Sequence, residues 1–360
     1  MSIPCVKSRG DAGLSPITPR PAGSHDLPVA RLLLALVLVP LSLFGATGCG
    51  GDGGSSGRGG WQVVMTGLPA ALTAVWGTSA GDIWAIGGDP EATGNTVMHF
   101  DGTQWQSLTT GFTGDLWWVY GFEGGSVFMG GLDGLILRYR DGTFERMQTP
   151  GNATVYGIWG TSENDLWAVG GNVSAGAFAW RYDGSSWTDA EGFPPVLVQS
   201  ASLFKVWGSA ADDVWLVGTG GVILHYDGDR ITQVRSETTR DLFTVHGAAG
   251  RVAAVGGFGT GVIVEDDGDG WHDVTPQGTP HVVGIWLGEA DSYAVGLEGA
   301  VLLRVGGVWT PVETGIRVPG ALHSVWVDPD GGVWSVGGQV LSPPLVDGVM
   351  IHKPAGNPRS

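Results

Sequence analysis

This 360-residue chain is short of cysteine, of positive charge and of long apolar runs. Its two cysteines, Cys5 and Cys49, both lie near the N-terminus. The rest of the chain therefore has no disulfide, no thiol nucleophile and no cysteine metal site. Eighteen Lys and Arg face 35 Asp and Glu, for a formal net charge of −17. The basic residues are scattered arginines with almost no lysine, which excludes the basic stripe that neutralises nucleic-acid phosphates. One apolar run stands out, residues 32–46. It falls short of the roughly 20 residues a membrane-spanning helix needs, and it suits the core of a signal peptide.

Glycine and tryptophan are abundant instead, with 64 and 17 residues, and they recur in register. The unit is clearest from Leu203 to Gly228, which reads as three short strands punctuated by Gly and Asp. Its first strand ends in a hydrophobic-Trp-Gly signature. The copies are Val75-Trp76-Gly77, Val119-Tyr120-Gly121, Ile158-Trp159-Gly160, Val206-Trp207-Gly208, Val245-His246-Gly247, Ile285-Trp286 and Val325-Trp326. A spacing of roughly 40 residues is that of propeller blades. A second strand follows each copy, as in Asp82 to Gly87, Ser126 to Gly130, Asp165 to Gly170 and Asp213 to Gly218. The third strand runs into Asp101-Gly102, Asp141-Gly142, Asp183-Gly184 or Asp227-Gly228. Asp-Gly favours a tight hairpin, because Gly accepts positive φ and Asp bonds its own backbone. A fourth strand starts at Trp105, Phe144, Trp187, Trp271 or Trp309, with Ile231 in the fourth repeat.

Seven such units predict an all-β fold, a seven-bladed β-propeller of four-stranded blades over residues 61–354, with a tail at 355–360. The seventh repeat stops after Ile351-His352 without its Asp-Gly-x-x-Trp. The segment Trp61-Gln62-Val63-Val64-Met65-Thr66-Gly67 matches the fourth-strand pattern of Trp105 to Gly111. The N-terminal strand is therefore expected to complete the last blade and close the ring, which leaves no open sheet edge.

Ahead of that strand, residues 32–46 end at Ala46-Thr47-Gly48-Cys49. This resembles a bacterial lipobox, which implies a lipoprotein signal peptide over 1–48 and lipidation at Cys49. Ala46 departs from the usual Leu. The head carries Lys7, Arg9, Arg20 and Arg31 with Asp11 and Asp26, so its removal would take the net charge to −19. The head is long for a leader, and translation is expected to start downstream of Met1. Residues 49–60 are Gly- and Ser-rich and read as a flexible tether. Together these features predict a monomer held at the bacterial cell envelope by a lipid anchor in the membrane, at the outer membrane or cell surface.

Propeller geometry places two sets of loops on one face: those joining the second and third strands, and those joining successive blades. Loop length varies most there, at 89–96, 172–176 and 189–202. Variable loops on a rigid scaffold are where binding usually sits. The candidate binding face is therefore Asp89, Asn95, Trp117, Asn172, Phe193, Pro194 and Arg240, with Phe193 and Pro194 expected to be exposed. His246 stands where the repeat has Trp and reads as a core variant. His99, His225 and Arg181 share one repeat position and read as structural. Asp82, Asp165, Asp213 and Asp291 precede the second strand and read as acceptors for turn amides. No cofactor is expected. The oxygen-rich stretch from Glu265 to Gly270 with Asp273 could suggest calcium, but it lacks EF-hand spacing and reads as an acidic hairpin turn.

The VWG…DVWAVG…HYDG…W pattern resembles the repeat lipoproteins of myxobacteria and their relatives. It is also similar to kelch and Asp-box propeller repeats, through Gly87-Gly88, Gly130-Gly131 and Gly170-Gly171 and the Asp-Gly-x-x-Trp turn. The resemblance implies the fold and leaves the activity open, since this architecture hosts many. The leading expectation is a non-enzymatic binding or scaffold module for an envelope protein or polysaccharide. The alternative is a carbohydrate-active propeller enzyme. A sialidase-like site would need an arginine cluster, whereas Arg138, Arg181, Arg240, Arg251 and Arg304 are scattered. A galactose-oxidase-like copper site would need a cysteine.

Overall fold

A computed structural model describes residues 58–172, 174–194, 201–289 and 291–356. The expected leader, Cys49 and nearly all of the tether lie outside the described residues, as does the segment 195–200 of the longest loop. The described chain forms seven four-stranded antiparallel sheets. Blade 1 comprises β2 (Leu72–Ser79), β3 (Asp82–Gly87), β4 (Thr96–Phe100) and β5 (Trp105–Ser107). Blades 2 to 6 repeat that order. Blade 7 comprises β26 (Ala321–Val327), β27 (Val333–Gln339) and β28 (Val346–Lys353), and its fourth strand is β1 (Gln62–Ala70). The N-terminal strand thus closes the ring as the repeat pattern predicts. Trp61, just ahead of it, is fully buried and meets Tyr293 of blade 6 edge-on, with ring centroids 6.4 Å apart.

The repeat signatures have separate physical jobs. At three interfaces the Trp of one blade leans across to the next, where Gly leaves room for its edge: Trp159 to Gly208, Trp207 to Gly247 and Trp326 to Gly77. A Cβ on Gly208 would sit 2.5 Å from the Trp159 ring, and one on Gly77 would sit 2.8 Å from Trp326. Blades 6 and 7 have Leu287 and Val327 where the others carry that Gly, and the smaller His246 faces Leu287, accepting its N–H at 3.0 Å. His246 is thus the core variant the sequence suggests. The Asp-Gly hairpins also behave as expected. Asp101 accepts the N–H groups of Thr103 and Gln104, and Gly102 takes φ of 89°.

The aspartates ahead of the second strand do something else. Asp82 accepts from the Trp84 indole at 3.1 Å and the His99 ring at 2.7 Å, and Trp84 and His99 stack 4.1 Å apart. Asp213, Trp215 and His225 repeat the arrangement. In blade 3, Asp165 accepts from Arg181, which lies 4.3 Å over Trp167. The sequence reading of these aspartates as turn-amide acceptors is corrected. Asp82 and Asp213 tie an indole to the third-strand histidine, Asp165 holds the third-strand arginine, and each also takes a Thr or Ser hydroxyl, while among the described residues Asp291 has only the Tyr293 hydroxyl at 3.5 Å.

Glu265 and its acidic neighbours likewise do not gather around a common point. Glu265, on β20 (Val262–Asp266), receives a two-pronged pair from Arg304 at 2.8 and 2.7 Å and the Trp309 indole, both in blade 6. Asp266 caps Gly268 and Gly270, and Asp273 caps Thr275. The pair is nearly out of water, so its two-pronged geometry matters. Arg304→Lys keeps the charge but loses one bond, and it is expected to cost ~1–2 kcal/mol in urea unfolding. An unchanged midpoint would mean that the pair does not join blades 5 and 6.

Candidate functional site

The innermost strand of every blade carries one irregularity at the same place. In β2 the pairing with β3 slips between Leu72 and Ala74, so Thr73 is the extra residue. The other six inner strands slip identically, leaving Trp117, Tyr156, Phe204, Phe243, Val283 and His323 as the extra residues. A β-bulge re-aims the side chain it carries. Seven bulges in register therefore gather six side chains around one mouth of the central channel, while the seventh, Thr73, is buried and donates to the Ile86 and Leu116 carbonyls.

The partner strand makes the bulge possible. Opposite it lies the Gly that ends the second strand. A Cβ on Gly256 would stand 1.9 Å from the Asp241 carbonyl oxygen, one on Gly337 1.9 Å from that of Ala321, and the same close approach recurs around the ring. In blade 2 the equivalent residue is Gly131, which pairs with Leu116, rather than the Gly130 at which the sequence reading ended the strand.

The result is a pocket of about 200 Å³ lined by Trp117, Tyr156, Phe204, Lys205, Phe243, Thr244, Phe258, His281, Val283, His323, Val340 and Leu341. Its aromatic rings form a chain. Neighbouring centroids lie 5.8 Å apart for His323–Trp117, 5.7 Å for Trp117–Tyr156, 5.5 Å for Tyr156–Phe204, 5.3 Å for Phe204–Phe243 and 5.2 Å for Phe243–Phe258. Phe258, from the second-to-third loop of blade 5, is 67 % exposed and stands at the rim. Lys205 lies at the floor, buried, donating to the Tyr156 carbonyl at 2.9 Å with its ammonium 3.6 Å from the Trp118 ring. Below it, Trp76, Trp159, Trp207, His246, Trp286 and Trp326 line the channel.

Charge in this site is governed by burial. Burial pulls the Lys205 amine well below its ordinary value. Burial, and then the neighbouring Lys205 charge, takes His323 down to about 4, and burial takes His246 to about 3. Both histidines are neutral in the folded chain at pH 5, whereas the unfolded chain protonates them below about 6.5. Protons then favour the unfolded state, so stability is full above pH 6.5 and falls as pH drops toward the folded values. Each ring borders the channel, which moderates the effect to about 1 kcal/mol at pH 5. Asp89 and Asp213 have depressed values, and their losses begin only below about 4. Lys205 acts in the same sense from pH 10.5 downward. Unfolding in urea is expected to show at least ~2 kcal/mol less stability at pH 5 than at pH 7, since burial also lowers His281 and His352. His246→Gln, which keeps an acceptor for Leu287, should recover about 1 kcal/mol of it. A flat profile between pH 7 and 5 would contradict neutral burial.

The residues chosen from loop length distribute unevenly. Trp117 lines the pocket. Asp89 and Asn95 are buried and hold their own loop. Asp89 accepts the N–H groups of Thr93, Gly94 and Gly114, which outweigh its burial and lower its pKa. Asn95 bonds Gly114 and Thr110. Asn172 caps Ser174 and Ala175, and exposed Arg240 donates to the Thr260 carbonyl at 2.7 Å. Phe193 and Pro194 are half-buried rather than exposed, and Phe193 packs on the core between blades 3 and 4. Sequence reasoning missed Tyr156, Phe204, Lys205, Phe243 and His323. Their signal was variation: the residue three before each repeat Trp is Thr, Trp, Tyr, Phe, Phe, Val and His in turn.

No protein-family model and no curated protein matches the chain. Solved structures similar to it include the WD40 β-propeller domain of Doa1, at TM-score 0.60 and 16 % identity over 82 % of this chain and 97 % of that one. YCF48 bound to D1 peptide matches at TM-score 0.61 and 16 % identity over 82 % of this chain and 96 % of that one. The GH74 xyloglucanase from Xanthomonas campestris matches at TM-score 0.58 and 15 % identity, over 81 % of this chain and 55 % of the enzyme. At these identities the likeness establishes a fold and nothing finer: the chain is a seven-bladed β-propeller with antiparallel four-stranded blades.

Proposed function

We propose that the protein is a non-enzymatic binding module that holds a short segment of a partner protein in the aromatic pocket at the channel mouth. The observation that carries this reading is the set of seven aligned bulges, six of which turn their side chain toward a single apolar site. Rigid aromatic walls lose little conformational entropy on binding and bury large area. A propeller of the same fold, YCF48, has been solved with a bound D1 peptide, which supports a peptide as the class of ligand. Glycoside hydrolysis needs two carboxyl groups facing the substrate. Among the described residues neither Asp nor Glu lines this pocket, and no observation favours the enzymatic alternative.

The anchor is part of the same proposal. The apolar run 32–46 and the Ala46-Thr47-Gly48-Cys49 sequence support lipidation at Cys49 and display at the bacterial envelope on the 49–60 tether. Cys49→Ser should abolish incorporation of labelled palmitate in cells.

Selection of a displayed random peptide library on the full chain tests the binding reading. Phe243→Ala should weaken the selected peptides by about 10-fold or more, since truncating a central aromatic anchor costs upward of 1–2 kcal/mol. Peptides that bind Phe243→Ala and wild type equally would place the site elsewhere. A pocket that selects no peptide but retains envelope polysaccharide would replace a protein partner with a glycan.

A further inference from the structure

The mouth pocket holds hydrogen-bonding groups that its own chain does not answer. Lys205 makes one hydrogen bond, to the Tyr156 carbonyl, and rests on the Trp118 ring. The Trp117 indole N–H and the His281 Nε2 are buried without a hydrogen-bond partner among the described residues. Among the described residues no Asp or Glu lines this pocket. A buried amine with no counter-ion, in the same pocket as an unanswered N–H, cannot carry its charge without cost until a partner arrives. The arrangement is complementary to an acceptor of negative charge whose attached body is apolar.

We infer that the pocket receives a free carboxyl terminus, the carboxylate reaching Lys205 and the Trp117 indole N–H while the last side chain packs among Phe204, Phe243 and Phe258. This rests on the peptide-binding reading above and names the end of the segment that enters. The floor decides between a chain end and an internal acid. Lys205, resting on Trp118, stands where the mouth pocket meets the Trp-lined space below, so the leading end of a segment that enters is the part that meets it. An Asp or Glu within a segment would carry peptide groups on both sides into the apolar ring, where their N–H and C=O groups lose water without replacement. A chain end carries peptide groups on one side only.

The ionisable groups facing Lys205 are His281, His323 and Tyr156, and no acid faces it among the described residues. Burial favours the neutral amine in the empty pocket, and a carboxylate beside it favours the ammonium. Binding is therefore accompanied by proton uptake.

The test uses the full chain and two fluorescein-labelled hexapeptide pools, randomised at five positions and ending in phenylalanine. One pool has a free carboxylate and the other a carboxamide. The free-acid pool should bind about 10- to 100-fold tighter, the range for a charge-assisted hydrogen bond. Lys205→Met should erase that ratio while leaving amide binding in place. Calorimetry in two buffers of different ionisation heat should register proton uptake in wild type and none in Lys205→Met. Trp117→Phe, which keeps a ring and removes the N–H, should reduce the ratio if Lys205→Met does not fold. Equal binding of the two pools overturns the carboxylate assignment and leaves the pocket reading standing. Binding of neither pool, with Phe243→Ala also without effect on library-selected peptides, overturns both. A small acid, 3-phenylpropionate, binding as tightly as the free-acid pool would assign the site to a metabolite-sized carboxylate and overturn the chain terminus.

Discussion

A chain lacking residues 61–67 melts on the order of 10 °C or more below the full-length protein. Those residues supply Trp61 and most of β1, the strand that hydrogen-bonds β28 from Gln62 opposite His352 to Ala70 opposite Val346. Trp61 is wholly buried, in a cluster with Tyr293, Val295, Val325 and Ile351, so it fastens blade 7 to blade 6 as well as completing its sheet. Truncating one such Trp costs about 3–5 kcal/mol. Losing the strand adds an unpaired edge on β28, and edges of this kind invite pairing between molecules. Each kcal/mol shifts the melting point of a domain this large by roughly 2–4 °C, which sets the minimum expected shift. Trp61→Ala alone should reproduce the packing part without the aggregation. Calorimetric scans of the three proteins separate the two contributions. A truncated chain that melts with the full-length protein would mean that the ring does not depend on β1.

Much of this architecture was legible because a blade is buried on both faces and its strands repeat the same residues at the same spacing. Trp207 and Gly208 appear together in sequence because the ring of one blade needs the missing Cβ of the next. That requirement holds where Trp159, Trp207 and Trp326 meet Gly208, Gly247 and Gly77, and it is absent where His246 faces Leu287. The mouth pocket was less legible for a physical reason. Bulges are a property of strand pairing, and nothing in the composition of Leu242-Phe243-Thr244 says which residue the ladder leaves out. Polar loop residues misled in the opposite sense. Asp89 and Asn95 have the chemistry of a binding surface, but a long loop has unpaired polar groups of its own: Asp89 takes three backbone N–H groups, and Asn95 donates to the Gly114 carbonyl and accepts the Thr110 hydroxyl. Asp82 likewise sits beside a turn in sequence, while its partner His99 lies on the third strand, out of reach of any local pattern.

Gly256→Ala tests whether the bulges build the site. Gly256 ends β19 (Arg251–Gly256) and pairs with Leu242 at the start of β18 (Leu242–Ala248). An added Cβ would lie 1.9 Å from the Asp241 oxygen and 2.9 Å from the Leu242 Cα. Both neighbours are backbone, so neither can rotate aside, and the strands must separate at the bulge that aims Phe243. The expected cost is ~3 kcal/mol, the upper range for overpacking. Binding by the mouth pocket should fall with it although every pocket side chain is still present. Gly250→Ala is the matched control in the same blade. Its φ of +74° makes alanine strained, but a Cβ there would meet nothing within 4 Å, so about 1 kcal/mol and undiminished binding are expected. Urea midpoints and peptide affinity, measured on both variants, separate backbone strain from displacement of the bulge. Equal losses of stability in the two, with binding intact in both, would mean that β18 and β19 tolerate the added carbon and that the aim of Phe243 is set by something other than the Gly beneath it.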